Sequence, residues 1–243
     1  MTLRAALLLL AALAFAISPL FSSFDGFDPG LYPVPQEDPP AQPAGWAFAI
    51  WGPIYLWLAA HAAFGLWRRR EAREWDAPRG ALALSLAIGA PWLWVASFSP
   101  LAATAMIWGM LAFALMAALR TTTAADRWIL MPPVALYAGW LTAASCVSVA
   151  LALAGWGIAG EVPAAWIALA LALSIGAAVQ WRLARAPEYG AAVVWALAAI
   201  AVRNPGALGA GAWTGAAVMA ALALRALAME VAGRRAAQGG SPA

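Results

Sequence analysis

Pro43-Ala44-Gly45-Trp46-Ala47-Phe48-Ala49-Ile50-Trp51-Gly52-Pro53-Ile54-Tyr55 opens a run that stays apolar to Trp67 and ends at Arg68-Arg69-Arg70. Between Trp46 and Trp67 the one ionisable side chain is His61. A helix crossing the hydrocarbon core needs about 20 mostly apolar residues, and this run meets that need. Outward from it, seven more segments do so in varying degree, giving eight: 4–21, 46–67, 80–98, 101–120, 128–153, 164–182, 190–203 and 207–229. The seventh is short. The 243-residue chain is 65% hydrophobic and 10% charged, with a mean hydropathy of +0.78. Soluble domains are about 45–50% apolar and about 25% charged. That composition excludes a soluble enzyme, a disordered tail and a nucleic-acid-binding module. The expected fold is all-α, a polytopic transmembrane helical bundle of about eight spans.

Arginine placement orients the spans, because short cytoplasmic loops carry the basic excess. All fourteen cations are arginine. With the N-terminus inside, the inner segments hold Arg4, the cluster Arg68 to Arg79, Arg120, Arg127, Arg182, Arg185, Arg234 and Arg235. The outer segments hold only Arg203, together with Asp25, Asp28, Glu37, Asp38 and Glu161. Both termini are therefore expected inside. The arginine-for-lysine bias and the Ala/Gly richness point to a GC-rich bacterium, and so to its cytoplasmic (inner) membrane. The first segment has a rival reading as a signal peptide, since Arg4 precedes an apolar stretch with small residues at Ala14 and Ala16; retention as a span is expected. Cys146 lies alone in an apolar run and reads as a core residue.

The long outer segment, Ser22 to Gly45, carries six prolines and four acids, with Phe24, Phe27, Leu31 and Tyr32 to pack against the helices. It reads equally as a passive connector and as a lid. Fifteen tryptophans need accounting for. Trp67, Trp75, Trp128 and Trp181 suit the interfacial belt. Trp57, Trp94, Trp108, Trp140 and Trp195 lie inside spans, where an indole N–H requires a partner.

The quoted stretch resembles the tryptophan-rich sensory protein / translocator protein family (TspO/MBR), whose proline-rich first loop runs into a W-x-F…W…Y second helix. Trp94-x-x-x-Phe98 and Tyr137-x-x-Trp140, followed by Ala144 and Val147-Ser148, resemble the family's third- and fifth-helix elements in the same order. Pro91 and Ser148 stand where that pattern carries asparagines, and Ala143 where it carries an aromatic. The resemblance covers residues 1–153, a five-helix domain, and leaves 154–243 as three additional spans with a short tail. It implies a binder of tetrapyrroles, sterols or carotenoid-like molecules, with a porphyrin or haem as a possible ligand. Trp46, Trp51, Tyr55, Trp94, Phe98, Tyr137 and Trp140 would line the cavity.

Ionisable groups mark most intramembrane catalytic and transport sites. Here the spans hold no paired carboxylates, no His/Cys cluster and no phosphate loop, so an enzyme is not expected. His61 has two readings: an axial ligand or donor to a tetrapyrrole, or a neutral imidazole paired with a neighbouring helix. Pro53, Pro91 and Pro132-Pro133 should kink their spans. Gly211-x-x-x-Gly215 should form a close-packing face, within the chain or in a homodimer. Besides lipid and a hydrophobic ligand, a membrane-complex partner is possible. On that alternative the chain is a structural or assembly subunit of a larger membrane complex, such as a pigment-containing one.

Overall fold

A computed structural model describes residues 1–22, 26–121 and 126–239, and every regular element among them is helical. Phe24 and Asp25 of the outer segment lie outside the described residues. The helices are α1 (Thr2–Ile17), α2 (Trp51–Arg68), α3 (Arg73–Gly89), α4 (Trp92–Ala96), α5 (Pro100–Arg120), α6 (Arg127–Gly155), α7 (Glu161–Arg182), α8 (Pro187–Arg203) and α9 (Ala207–Gly239). A 3₁₀ segment, Gly45–Ile50, leads directly into α2.

Seven segments are long and apolar enough to cross a membrane: 2–20, 45–68, 73–96, 100–120, 127–155, 161–182 and 207–236. The remaining helix, α8, has 17 residues. At about 1.5 Å per residue it is roughly 25 Å long, a turn short of the hydrocarbon core. Its contacts nonetheless join both ends of the bundle. Near its start Glu188 pairs with Arg127 at 2.8 Å, and at its end Arg203 pairs with Asp38 of the outer segment. Between these, Tyr189, Ala192, Val193 and Ala196 are buried. Packed between α6 and α9, α8 meets little lipid, which is why a short helix suffices there.

Ion pairs gather the arginine-rich ends of the helices together. Arg4 bonds Asp76 at 3.1 Å, Arg69 bonds Asp126 at 2.6 Å, and Arg127 and Arg234 share Glu230 at 3.0 and 2.9 Å. At the opposite end, the Val34 N–H donates to the Gly155 carbonyl at 2.8 Å, and Asn204 donates to the Pro40 carbonyl at 2.9 Å. Among the described residues the chain thus alternates between the two ends eight times, with α3 and α4 sharing one pass, and Arg4 and Arg234 both lie at the arginine-rich end.

The post of the bundle is α6, 78% of whose most apolar stretch is buried. It packs against α2, α5, α7 and α8, so the first five spans and the last three share one core running from Leu8 to Met219. Lipid tails are as apolar as leucine, so helices associate through close packing and hydrogen bonds. Gly139 shows how close: a β-carbon there would stand 2.2 Å from the Tyr189 carbonyl oxygen. Gly211 and Gly215 perform the same service against α7, where added β-carbons would meet Trp166 at 2.6 Å and Leu173 at 2.9 Å.

The prolines sit differently in their helices. Pro53 is the third residue of α2, where its missing N–H has no intrahelical partner to lose. Pro132 and Pro133 lie within α6, which continues unbroken to Gly155. Pro91 is the effective breaker: α3 stops at Gly89 and a separate short helix begins at Trp92.

Candidate functional site

The α3–α4 break shapes the interior. Gly89 ends α3 with no room for a side chain, since a β-carbon would stand 2.7 Å from the Phe15 ring. The backbone turns through Ala90 and Pro91, and Trp92 enters the bundle, its indole N–H donating to the Ala103 carbonyl at 2.8 Å. Ser99 then caps α5 by accepting the Ala102 N–H.

Behind this break lies a cavity of about 220 Å³, walled by Phe15, Trp51, Tyr55, Trp92, Met110 and Trp140. A second chamber of about 60 Å³ sits under the outer segment, lined by Phe27, Pro43, Val147, Ser148, Leu151 and Ala196. The two share Phe48, Trp92, Ile107, Trp140 and Ala144. The walls brace one another. Trp51 and Tyr55 stack at 5.4 Å, Phe15 meets Tyr55 edge-on at 4.9 Å, and Trp140 meets both Trp51 and Phe48 edge-on at 6.0 Å. Such aromatic pairs stabilise by about 0.5–1.5 kcal/mol each beyond their burial.

The tryptophans differ in how their N–H groups are satisfied. Trp57 donates to the Trp128 carbonyl at 3.1 Å and Trp195 to that of Ala47 at 2.9 Å. Trp140 is 2% exposed and its Nε1 has no hydrogen-bond partner. An unmet buried donor costs about 1–3 kcal/mol. The other buried polar atoms without partners belong to Gln36, His61, Arg127 and Gln180, none of which lines the two chambers.

Of the residues singled out by sequence, Trp51, Tyr55 and Trp140 come together in the cavity wall. Tyr137 stands behind it, fully buried, its ring against Phe15 and Trp51 and its hydroxyl 3.0 Å from Ser85 Oγ. Ser85 in turn donates to the Met110 carbonyl. Trp94 and Phe98 face outward, 65% and 52% exposed, paired edge-on to each other. The family resemblance placed them in the cavity wall; instead Trp92 lines it, and Trp94, two residues on, faces out. Trp46 also lies outside the cavity, 48% exposed and edge-on to Trp195. Phe15, Trp92, Ile107 and Met110 complete the walls without having been singled out. Their signal in sequence was only Pro91, read as a kink rather than a stop.

His61 is buried near the arginine-rich end, away from the cavity lining. Its Nδ1 lies 2.8 Å from the Ile129 carbonyl oxygen, to which it therefore donates, and its ring stacks on Trp75 at 5.0 Å. This is the neighbouring-helix pairing rather than a cavity-facing ligand. Trp75, read as interfacial, is fully buried and donates to Asp126 at 3.0 Å. Trp67, Trp128 and Trp181 do stand exposed at that end, and Arg225 lies 4.0 Å over the Trp181 ring.

The closures of the two ends differ. At the end away from the arginines, Tyr32 packs on Gly155, which has no space for a β-carbon. The Ala44 N–H donates to the Ala199 carbonyl at 3.2 Å, and Arg203 donates to the Gln42 carbonyl at 3.1 Å. The outer segment is therefore fastened over the chambers by α6 and by the end of α8. At the arginine-rich end, Arg127 is 7% exposed and bonds both Glu188 and Glu230, a network the sequence did not reveal. Nearby, the Arg69 guanidinium holds the Asp126 carboxyl below the usual carboxylate range; burial opposes this and the Trp75 N–H adds to it.

A sequence profile of the family described as TSPO-like protein matches residues 36–228. No curated protein and no solved structure matches the chain.

Proposed function

The chain belongs to the TSPO-like protein family, and from that premise we propose that it binds a hydrophobic small molecule in the aromatic cavity. The ligand would be tetrapyrrole-, sterol- or carotenoid-like, and the role sensory, regulatory or accessory to transport. The observation that carries this is the cavity itself: Phe15, Trp51, Tyr55, Trp92 and Trp140 enclose apolar space with no charged side chain among the described lining residues. The same lining offers no ionisable acid–base pair, which supports binding over conversion. Membrane-capable helices and the arginine distribution support a bacterial inner-membrane protein with both termini cytoplasmic.

Titration of the purified protein in lipid discs with an apolar, light-absorbing probe tests the reading. Tryptophan fluorescence should quench saturably, and Trp51→Ala combined with Tyr55→Ala should abolish the saturable phase. Quenching that stays linear with probe concentration would overturn it.

The outward aromatic pairs Trp46–Trp195 and Trp94–Phe98 favour a second reading, a subunit gripping neighbouring helices of a larger membrane complex. That reading predicts co-migration with other polypeptides after mild solubilisation, whereas a free binder runs alone or as a homodimer.

A further inference from the structure

We propose that the arginine-rich ends of α7 and α9 hold the headgroup of an anionic phospholipid, gripped by Arg182, Arg185 and Arg225 beside Trp181. The site belongs to the last three helices and shares no residue with the aromatic chambers, so it stands whether or not they hold a ligand.

Depth singles out Arg225. Glu230 marks the layer where Arg127 and Arg234 are paired. Arg225 precedes it on α9 by about 7.5 Å along the helix axis, on the side of the apolar span. An arginine at that depth is costly unless an anion meets it. The Trp181 ring covers one face of the guanidinium at 4.0 Å. Among the described residues no carboxylate or carbonyl takes its N–H donors. Trp181 is 60% exposed, so the pair sits on the outside of the bundle, where lipid reaches it.

The local acids are already spent. Glu188 pairs with Arg127, and Arg127 and Arg234 share Glu230. Arg182 and Arg185 are exposed and form no ion pair among the described residues. The Arg185 guanidinium lies against Gly233, where an added β-carbon would stand 2.9 Å from its Cζ. It therefore meets α9 about two turns beyond Arg225.

The turn that carries these side chains is held in place. Gln180 is 1% exposed and donates from Nε2 to the Leu183 carbonyl at 3.0 Å and the Ala186 carbonyl at 3.2 Å. Arg127 donates to the Arg185 carbonyl at 3.2 Å. Free carbonyls at a helix C-terminus repel anions. With these committed to buried donors, the end of α7 presents guanidinium groups instead.

The chemistry fits a lipid phosphate. Guanidinium groups take phosphate oxygens through paired N–H donors, and an interfacial tryptophan packs on the region just below the headgroup. Val218, one heptad before Arg225 on the same face of α9, is 49% exposed and continues the surface toward the bilayer centre for an acyl chain. A zwitterionic headgroup brings its own cation, which the arginines repel. Because Arg225 lies on the apolar side of the ion-pair layer, the occupant comes from the bilayer rather than from solution.

The test is native mass spectrometry of the full chain from mixed micelles holding equal phosphatidylglycerol and phosphatidylcholine with the same acyl chains. Each arginine near the surface is worth about a fivefold gain in affinity for anionic lipid. Wild type should therefore retain phosphatidylglycerol over phosphatidylcholine by about tenfold or more. Arg182→Gln with Arg225→Gln should reduce that preference to about twofold or less, with helical circular dichroism unchanged. Arg73→Gln with Arg120→Gln removes the same charge from exposed positions at the same end and should leave the preference intact. Equal retention of the two lipids by wild type, or equal loss of preference in both double variants, overturns the proposal. So does displacement of bound phosphatidylglycerol by excess inorganic phosphate, which would assign the arginines to a dissolved anion. If the Arg225 variant fails to accumulate, Arg182→Gln with Arg185→Gln carries the same comparison.

Discussion

Trp92 and Trp94 are two residues apart and have opposite fates, one a cavity wall and the other exposed. Two positions along a helix differ by about 200°, which sets them on opposite faces, and hydrophobicity does not tell which face is the inner one. Trp51, Tyr55 and Trp140 were legible because each sits on an uninterrupted helix at the spacing its motif implies. His61 was half legible: its rarity marked it, but only the fold shows the Ile129 carbonyl opposite. Replacing His61 with Ala should therefore lower thermal stability and leave the spectrum and affinity of a bound probe unchanged. At the arginine-rich end, Arg127→Met strands Glu188 and leaves Glu230 with Arg234 alone, and loss of one partner from a buried pair costs about 3–5 kcal/mol. The expected result is a lower unfolding temperature in detergent, with Glu230→Gln milder because it keeps volume and some hydrogen bonding. Asp126 adds a pH dependence. Its folded-state pKa is depressed, so its stabilisation is complete above the ordinary carboxylate pKa and is lost as pH falls through the lower, folded value. Asp126→Asn should flatten that part of the acid profile, as measured by unfolding temperature between pH 7 and pH 3.

At the scale of elements, the decisive feature is the divided third span. The prediction is that an α3 continued through residue 91 moves Trp92 within the wall and narrows the cavity it lines. Pro91→Ala removes the barrier to continuation, and is predicted to reduce saturable probe binding while the protein still folds, as judged by helical circular dichroism. A second test is Gly139→Val. The α6–α8 crossing leaves 2.2 Å for a β-carbon, so this variant should fail to accumulate, whereas Gly45→Ala, with open space around it, should not. Element existence was largely legible from apolar run lengths, because lipid imposes that length directly. Element partners were not: α8 looked marginal as a span, and only its burial between α6 and α9 explains how a short helix holds its place.

At the scale of the whole molecule, arginine placement foretold the alternation of helix ends, and the ion pairs at the inner end show what those arginines hold together. The orientation itself is a prediction: reporter fusions at residues 1 and 243 should both be active only as cytoplasmic markers. Within the single core joining all eight passes, α8 and its end fasten the outer segment through Arg203, Asn204 and Ala199, and line the smaller chamber through Ala196. The most direct measurement of the central claim is extraction and mass spectrometry of small molecules carried by the gently purified protein, wild type against a Trp51→Ala, Trp92→Ala double variant. The account predicts an apolar species near one per chain in the wild type and its loss in the variant. Equal amounts of the same species in both proteins would contradict it.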